Sequence, residues 1–241
     1  MKPLAALALA ALAAGLPANG RADPPSADPG AGELRYVVFL RPDPGRKPLA
    51  LEERQRIQDA HMANIQKMAD DGILAAAGPM GDQTVTISGI FVLKAPSLSE
   101  ARRIAALDPT VVHRRNTVDV HPWRGPAGIG LSYFRWRKQH PDAKDVMARH
   151  AFCLVLRGPA WAGGTQPDAE HEKFVASLRA EGLLAAAGPV EDDPDLTGIV
   201  VFKTASTEEA RKAAEQDPAV RAGRIAIEYH EWWTADGVLP W

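Results

Sequence analysis

The chain has 241 residues, 46% of them hydrophobic and 24% charged, with a formal net charge of −2. This composition suits one or two folded domains and supplies no basic stripe, so nothing in it points to a nucleic-acid partner. The single cysteine, Cys153, excludes an intramolecular disulfide and a cysteine-based zinc site; within HAFCLVLR it reads as a buried small hydrophobe.

Lys2 precedes an apolar run from Leu4 to Leu16 and the small, turn-forming stretch PANGRA. That layout predicts a secretory signal peptide over residues 1–22, cut after Gly20 or Ala22. Its about 13 apolar residues are too few to span a bilayer comfortably. The expected location is periplasmic or secreted, with no membrane attachment after cleavage. Residues 23–33, rich in proline and glycine, read as a disordered leader.

The rest of the chain is written twice. HMANIQKMADDGILAAAGP, from His61, matches HEKFVASLRAEGLLAAAGP, from His171, at 8 of 19 positions without a gap. After a shift of one residue, GIFVLKAPSLSEARRIAALDP, from Gly89, matches GIVVFKTASTEEARKAAEQDP, from Gly198, at 11 of 21. The same register lays His121 on His230 and Trp123 on Trp232. Self-similarity of this kind sets the architecture: repeats over residues 34–123 and 150–241, joined by a linker over 124–149.

Each copy opens on a short apolar strand, RYVVFLR or HAFCLVLR. A helix follows, with Ile57, His61, Ile65 and Met68 on one face of the first copy, and His171, Phe174 or Val175, and Leu178 on one face of the second. The AAAGP segment then reads as a strand ended by Gly-Pro, paired with the next strand as a hairpin. Ser97 with Glu100, and Ser206 with Glu209, have the spacing of a capping box and start a second helix. That helix stops at Asp-Pro, since the residue before proline is pushed out of the helical region. A last strand ends in VDVHPW or IAIEYHEW.

The order βαββαβ predicts an α+β fold of two ferredoxin-like repeats, each an antiparallel sheet with both helices on one face. The uncovered sheet faces must be buried, so the two copies are expected to pack as an intramolecular pseudo-dimeric α+β barrel. The chain is therefore expected to be a monomer with an internal pseudo-dimer. In the linker, LSYFRWRKQ reads as a short helix lying on the barrel.

A His on the first helix, GILAAAGP or GLLAAAGP after it, SxxEA on the second helix and DPxV at its end form an ordered set found twice. The set resembles the YCII-related family of the dimeric α+β barrel superfamily, from Leu34 to Trp123 and again from Ala151 to Trp233. The resemblance implies an active-site pair of His and Asp, here His61 with Asp108 and His171 with Asp217. It also implies relatives that isomerise, dehydrochlorinate or oxygenate small ring compounds, and so a cyclic or aromatic small-molecule ligand.

An imidazole held by a carboxylate suits a general base that removes a proton from an acidic carbon or a phenol. The expected function is a cofactor-free isomerase- or lyase-type step. The alternative is a non-catalytic ligand-binding or scaffold protein in which the same residues only pack. Each Asp, at the end of a helix, is expected to face the negative end of the dipole. Arg114 stands where Gly223 stands in the second copy, which favours His171 and Asp217 as the better-preserved pair. His121 and His230 lack HxH or HExxH spacing, so no metal is expected, and both are assigned to packing at the barrel edge beside a capping Trp. No GxSxG, Walker or dinucleotide fingerprint occurs.

Overall fold

The computed structural model describes residues 32–82, 86–162 and 168–241; the signal peptide, and all of the leader before Gly32, lie outside the described residues. The first repeat runs β1 (Glu33–Pro42), α1 (Leu51–Asp70), β2 (Leu74–Pro79), β3 (Gly89–Leu93), α2 (Leu98–Ala106), α3 (Pro109–Val112) and β4 (Asn116–Gly125). A connector helix, α4 (Leu131–Gln139), leads to the second repeat. This comprises β5 (Met147–Arg157), α5 (Ala169–Ala180), β6 (Leu184–Pro189), β7 (Leu196–Phe202), α6 (Thr207–Ala214), α7 (Pro218–Arg221) and β8 (Ile225–Ala235). The sheets have the orders β2-β3-β1-β4 and β6-β7-β5-β8, with every pairing antiparallel. The expected α+β fold of two ferredoxin-like repeats forms, with one addition: the single-turn helices α3 and α7 between the second long helix and the last strand of each repeat.

Alternation along the central strands explains the layering. In β1, Val37 and Phe39 enter a core between the two sheets, whereas Tyr36, Val38 and Leu40 face the helices of their own repeat. In β5, Phe152 and Leu154 join the shared core, and Ala151, Cys153 and Val155 face the other way. Burial pushes the Cys153 thiol up to about 12, so it packs as a hydrophobe. Three cores result, of which the central one belongs to both repeats.

The barrel closes along two seams. Trp123 of β4 bridges to Val190 beyond β6, and Trp232 of β8 bridges to Met80 beyond β2. Glu191 N–H donates to the Pro122 carbonyl at 3.0 Å, and Gly81 N–H donates to the Glu231 carbonyl at 2.8 Å. The repeated AAAGP lies on these seams. A Cβ on Gly188 would stand 2.0 Å from the Arg124 carbonyl oxygen, and one on Gly78 would stand 1.7 Å from that of Trp233. Only glycine lets the opposite repeat approach so closely. The alanines before it, Ala75, Ala76, Ala185 and Ala186, fill the shared core. No helix among the described residues is long and apolar enough to cross a membrane.

Candidate functional site

The fold brings each predicted His to its predicted Asp. On α1, His61 Nδ1 lies 2.8 Å from Asp108 Oδ2; on α5, His171 Nδ1 lies 2.6 Å from Asp217 Oδ2. Both carboxylates are buried, while the imidazoles keep 13% and 14% of their side-chain surface exposed. With Nδ1 engaged, Nε2 is the nitrogen left to meet a ligand.

The carboxylates do not sit as the sequence suggested. Each follows the second long helix but also caps the next one: Asp108 Oδ1 accepts from Thr110 N–H at 2.9 Å, and Asp217 Oδ1 from Ala219 N–H at 2.8 Å. They therefore face the N-terminal ends of α3 and α7, where a negative charge is favoured. Burial pushes the Asp108 carboxyl up, but hydrogen bonds and charge from His61, with bonds from Thr110 and Asn64, outweigh it and hold the group below the usual carboxylate range.

Each imidazole lines a pocket between its helix and the neighbouring hairpin. The second-repeat pocket, about 260 Å³, is mainly apolar, with Val175, Val200, Ile225 and Trp241 around His171. Arg179 lines it too, its guanidinium carbon 4.1 Å from the centre of the Trp241 ring. The first-repeat cleft is about 1040 Å³ and reaches from His61 to Tyr133 and Arg137 on α4. The size difference does not come from the backbone at Arg114, which adopts φ 52° where Gly223 adopts φ 68°. Arg114 thus keeps the glycine-like turn in spite of its side chain.

His121 and His230 do more than pack. His121 Nδ1 meets Asp192 at 2.9 Å across the seam, and its Nε2 meets Asp119 on its own strand at 2.8 Å. His230 repeats the arrangement with Asp82 across the seam at 2.5 Å and Glu228 on its own strand at 2.9 Å. Sequence reasoning passed over these carboxylates. The available signal was positional: Asp82 and Asp192 match in the repeat register, and an acid precedes each His by two residues, the spacing that shares a strand face. The neighbouring Trp123 and Trp232 are buried in the shared core, as the sequence indicated. Among the described residues, no group of three or more His, Cys, Asp or Glu side chains could hold a metal ion.

Fold and site together define a two-repeat α+β barrel with one pocket-lining imidazole–carboxylate pair per repeat and a second imidazole–carboxylate cluster at each seam. The chain belongs to the YCII-related domain family, which matches residues 34–124 and 162–232. Among solved structures, a variant of the chlorite dismutase from Candidatus Nitrospira defluvii is similar over 84% of this chain and 92% of its own, with TM-score 0.53 and 12% identity. A heme-binding protein from Thermus thermophilus is similar over 85% of this chain and 92% of its own, with TM-score 0.50 and 14% identity. At such identities the likeness is one of fold. No curated protein matches the sequence.

Proposed function

We propose that the second-repeat pocket binds a small cyclic or aromatic molecule and that His171, held by Asp217, acts on it as a general base. The observation that carries this reading is the 2.6 Å contact between a buried carboxylate and an imidazole lining an apolar pocket. Asp217 fixes the ring with its proton on Nδ1, so that Nε2 presents a lone pair. Nε2 then takes a proton from an acidic C–H or phenolic O–H, and Asp217 stabilises the imidazolium that forms. In an isomerisation, the imidazolium returns the proton to a different carbon of the same ligand. Arg179 lies eight residues along α5, about 12 Å of helix rise, and suits a carbonyl or anionic group at the far end of the ligand. His61 and Asp108 are proposed as the equivalent pair of the first repeat.

Heme is the group raised by the structural neighbours, and the residues here do not suit it. The second-repeat pocket, at about 260 Å³, is too small for a tetrapyrrole. The first-repeat cleft has the room and an imidazole, His61, but Asp70 and Asp145 line it against Arg137 and Lys138, and Arg137 is committed to Asp145 and to the carbonyls of His140 and Ala143. A dianionic macrocycle would meet as many negative as positive groups there.

Cyclohex-3-enone tests the base. Its conversion to cyclohex-2-enone needs one proton removed from the carbon between the carbonyl and the alkene and one returned at the far end. The mature protein is expected to accelerate this, with His171→Ala and Asp217→Asn each reducing the rate by about 10²–10⁴. Equal rates in all three proteins, or none, would leave the pocket as a non-catalytic ligand site. Export is part of the same proposal and rests on the leader sequence; mass spectrometry of the periplasmic or secreted protein is expected to find an N-terminus at Arg21 or Asp23.

A further inference from the structure

The two pockets occupy equivalent places, yet their linings differ in where the polar side chains stand. The repeat register places Thr110, Asn116 and Gln66 of the first cleft opposite Ala219, Ile225 and Ala176, and Met62 and Ala69 opposite Glu172 and Arg179. At Glu172 and Arg179, along the helix, the second repeat carries the charged side chains, whereas beside the carboxylate, at Thr110 and Asn116, the first repeat carries the hydrogen-bonding side chains and the second apolar ones.

In the first repeat these side chains form a directed chain. Ser88 Oγ donates to Asn116 Oδ1 at 3.0 Å, Asn116 Nδ2 donates to Thr110 Oγ1 at 3.0 Å, and Thr110 Oγ1 donates to Asp108 Oδ1 at 2.6 Å. Ser88, Thr110 and Asn116 all line the cleft that His61 lines. Every donor points toward Asp108, which leaves a second N–H on Asn116 and the Ser88 oxygen lone pairs for a bound molecule. Among the described residues, the second-repeat pocket has no such row.

Charge and size narrow the occupant further. The charged side chains lining the first-repeat cleft are Asp70, Asp145, Arg137 and Lys138, so two negative groups balance two positive ones. Arg137 stands 3.6 Å from Asp145, and Tyr133 donates to the same carboxylate at 2.7 Å. Tyr133 and Phe134, on the connector helix α4, extend the cleft wall; in the second repeat, Trp241 closes in on the pocket instead. A cleft that is long, apolar-walled, polar along one row and balanced in charge selects against ions and against small apolar rings.

We propose that the first-repeat cleft is a second binding site, specific for an extended, uncharged molecule with carbonyl or hydroxyl groups and too bulky for the second-repeat pocket. The proposal rests on both pockets being ligand sites, and not on proton transfer at His171.

Nile red, an extended neutral dye with a carbonyl acceptor, reports on the first site by fluorescence, and 4-fluorophenol reports on the second by fluorine NMR. Gln66→Trp and Ala176→Trp place the same bulk at matched, exposed helix positions lining the first and second pockets respectively. With the full mature chain, Gln66→Trp is expected to weaken Nile red binding at least tenfold and leave 4-fluorophenol unchanged. Ala176→Trp is expected to do the reverse. Nile red binding that is absent, unaffected by Gln66→Trp, or weakened equally by Ala176→Trp would overturn the proposal. Met62→Trp, on the same lining and 52% exposed, gives the same reading should Gln66→Trp fail to fold. Loss of enone isomerisation with Nile red binding intact counts against the base alone.

Discussion

Single residues carry contrasting duties in the two copies of this chain. Asp108 accepts hydrogen bonds from His61, Asn64, and both the N–H and the hydroxyl of Thr110, whereas Asp217 accepts from His171 and Ala219 N–H. The first pair is thus fixed by a polar scaffold and the second by apolar packing, so the surroundings and not the pair itself distinguish the pockets. Glycine at the seam is the other decisive residue. Gly188→Ala would put a methyl group 2.0 Å from a backbone carbonyl that cannot swing aside as a side chain tip would. Urea unfolding is expected to show a loss of about 3 kcal/mol or more, at the upper end of overpacking costs.

Among elements, the seams matter most, because they join sheets that would otherwise each expose an edge. β4 holds Asp119, His121 and Trp123 on one face, and the loop after β6 supplies Asp192 from the other repeat. Burial pushes the His121 imidazole down, but hydrogen bonds to Asp119 and Asp192 and their charges outweigh it, and the group is raised above its ordinary 6.5. Asp193 also faces this ring at 3.8 Å, while Arg102 and Arg41 stand behind Asp192 and Asp119. A raised imidazole contributes stability that is complete below about pH 6.5 and is lost as pH rises through its folded value. His121 also holds the Asp119 carboxyl below its usual range, and that contribution is lost as pH falls through the folded value of Asp119. His150, lowered by burial, contributes in the opposite direction over the same range, so thermal unfolding across about pH 5 to 9 is expected to show His121→Gln losing its Tm deficit relative to the unsubstituted protein as pH rises. A Tm difference between the two proteins that stays constant across this range would separate the seam from the pH response.

For the whole molecule, the shared core dictates that neither repeat is complete alone. Val37, Phe39, Ile90 and Trp123 of the first repeat are buried against Phe152, Leu154, Ile199 and Trp232 of the second. A chain ending after Gly130 would expose that face and both of its seam edges. Expressed by itself, the first repeat is expected to self-associate or stay unfolded in sedimentation velocity experiments, whereas the two-repeat chain is expected to sediment as a monomer and unfold in one cooperative step.

The pairing of His61 with Asp108 and of His171 with Asp217 is implied by the resemblance to the YCII-related family; legible in the residues themselves are the duplication, the α+β class, and the start of α2 at Ser97 and of α6 at Ser206. These rest on local chemistry or on register, and both are written along the chain: Ser97 caps Glu100 N–H three residues away, and a repeat shows itself by comparison with itself. The partners of His121 and His230, the need for Gly78 and Gly188, and the unequal pockets emerge from the packed chain alone. The first two depend on groups brought together across a seam, from sequence positions 71 residues apart for His121 and Asp192 and 148 apart for His230 and Asp82, and the pockets differ because α4 lines one and Trp241 the other. Periodicity reports which face of a strand or helix is buried; it does not report what the burying surface carries.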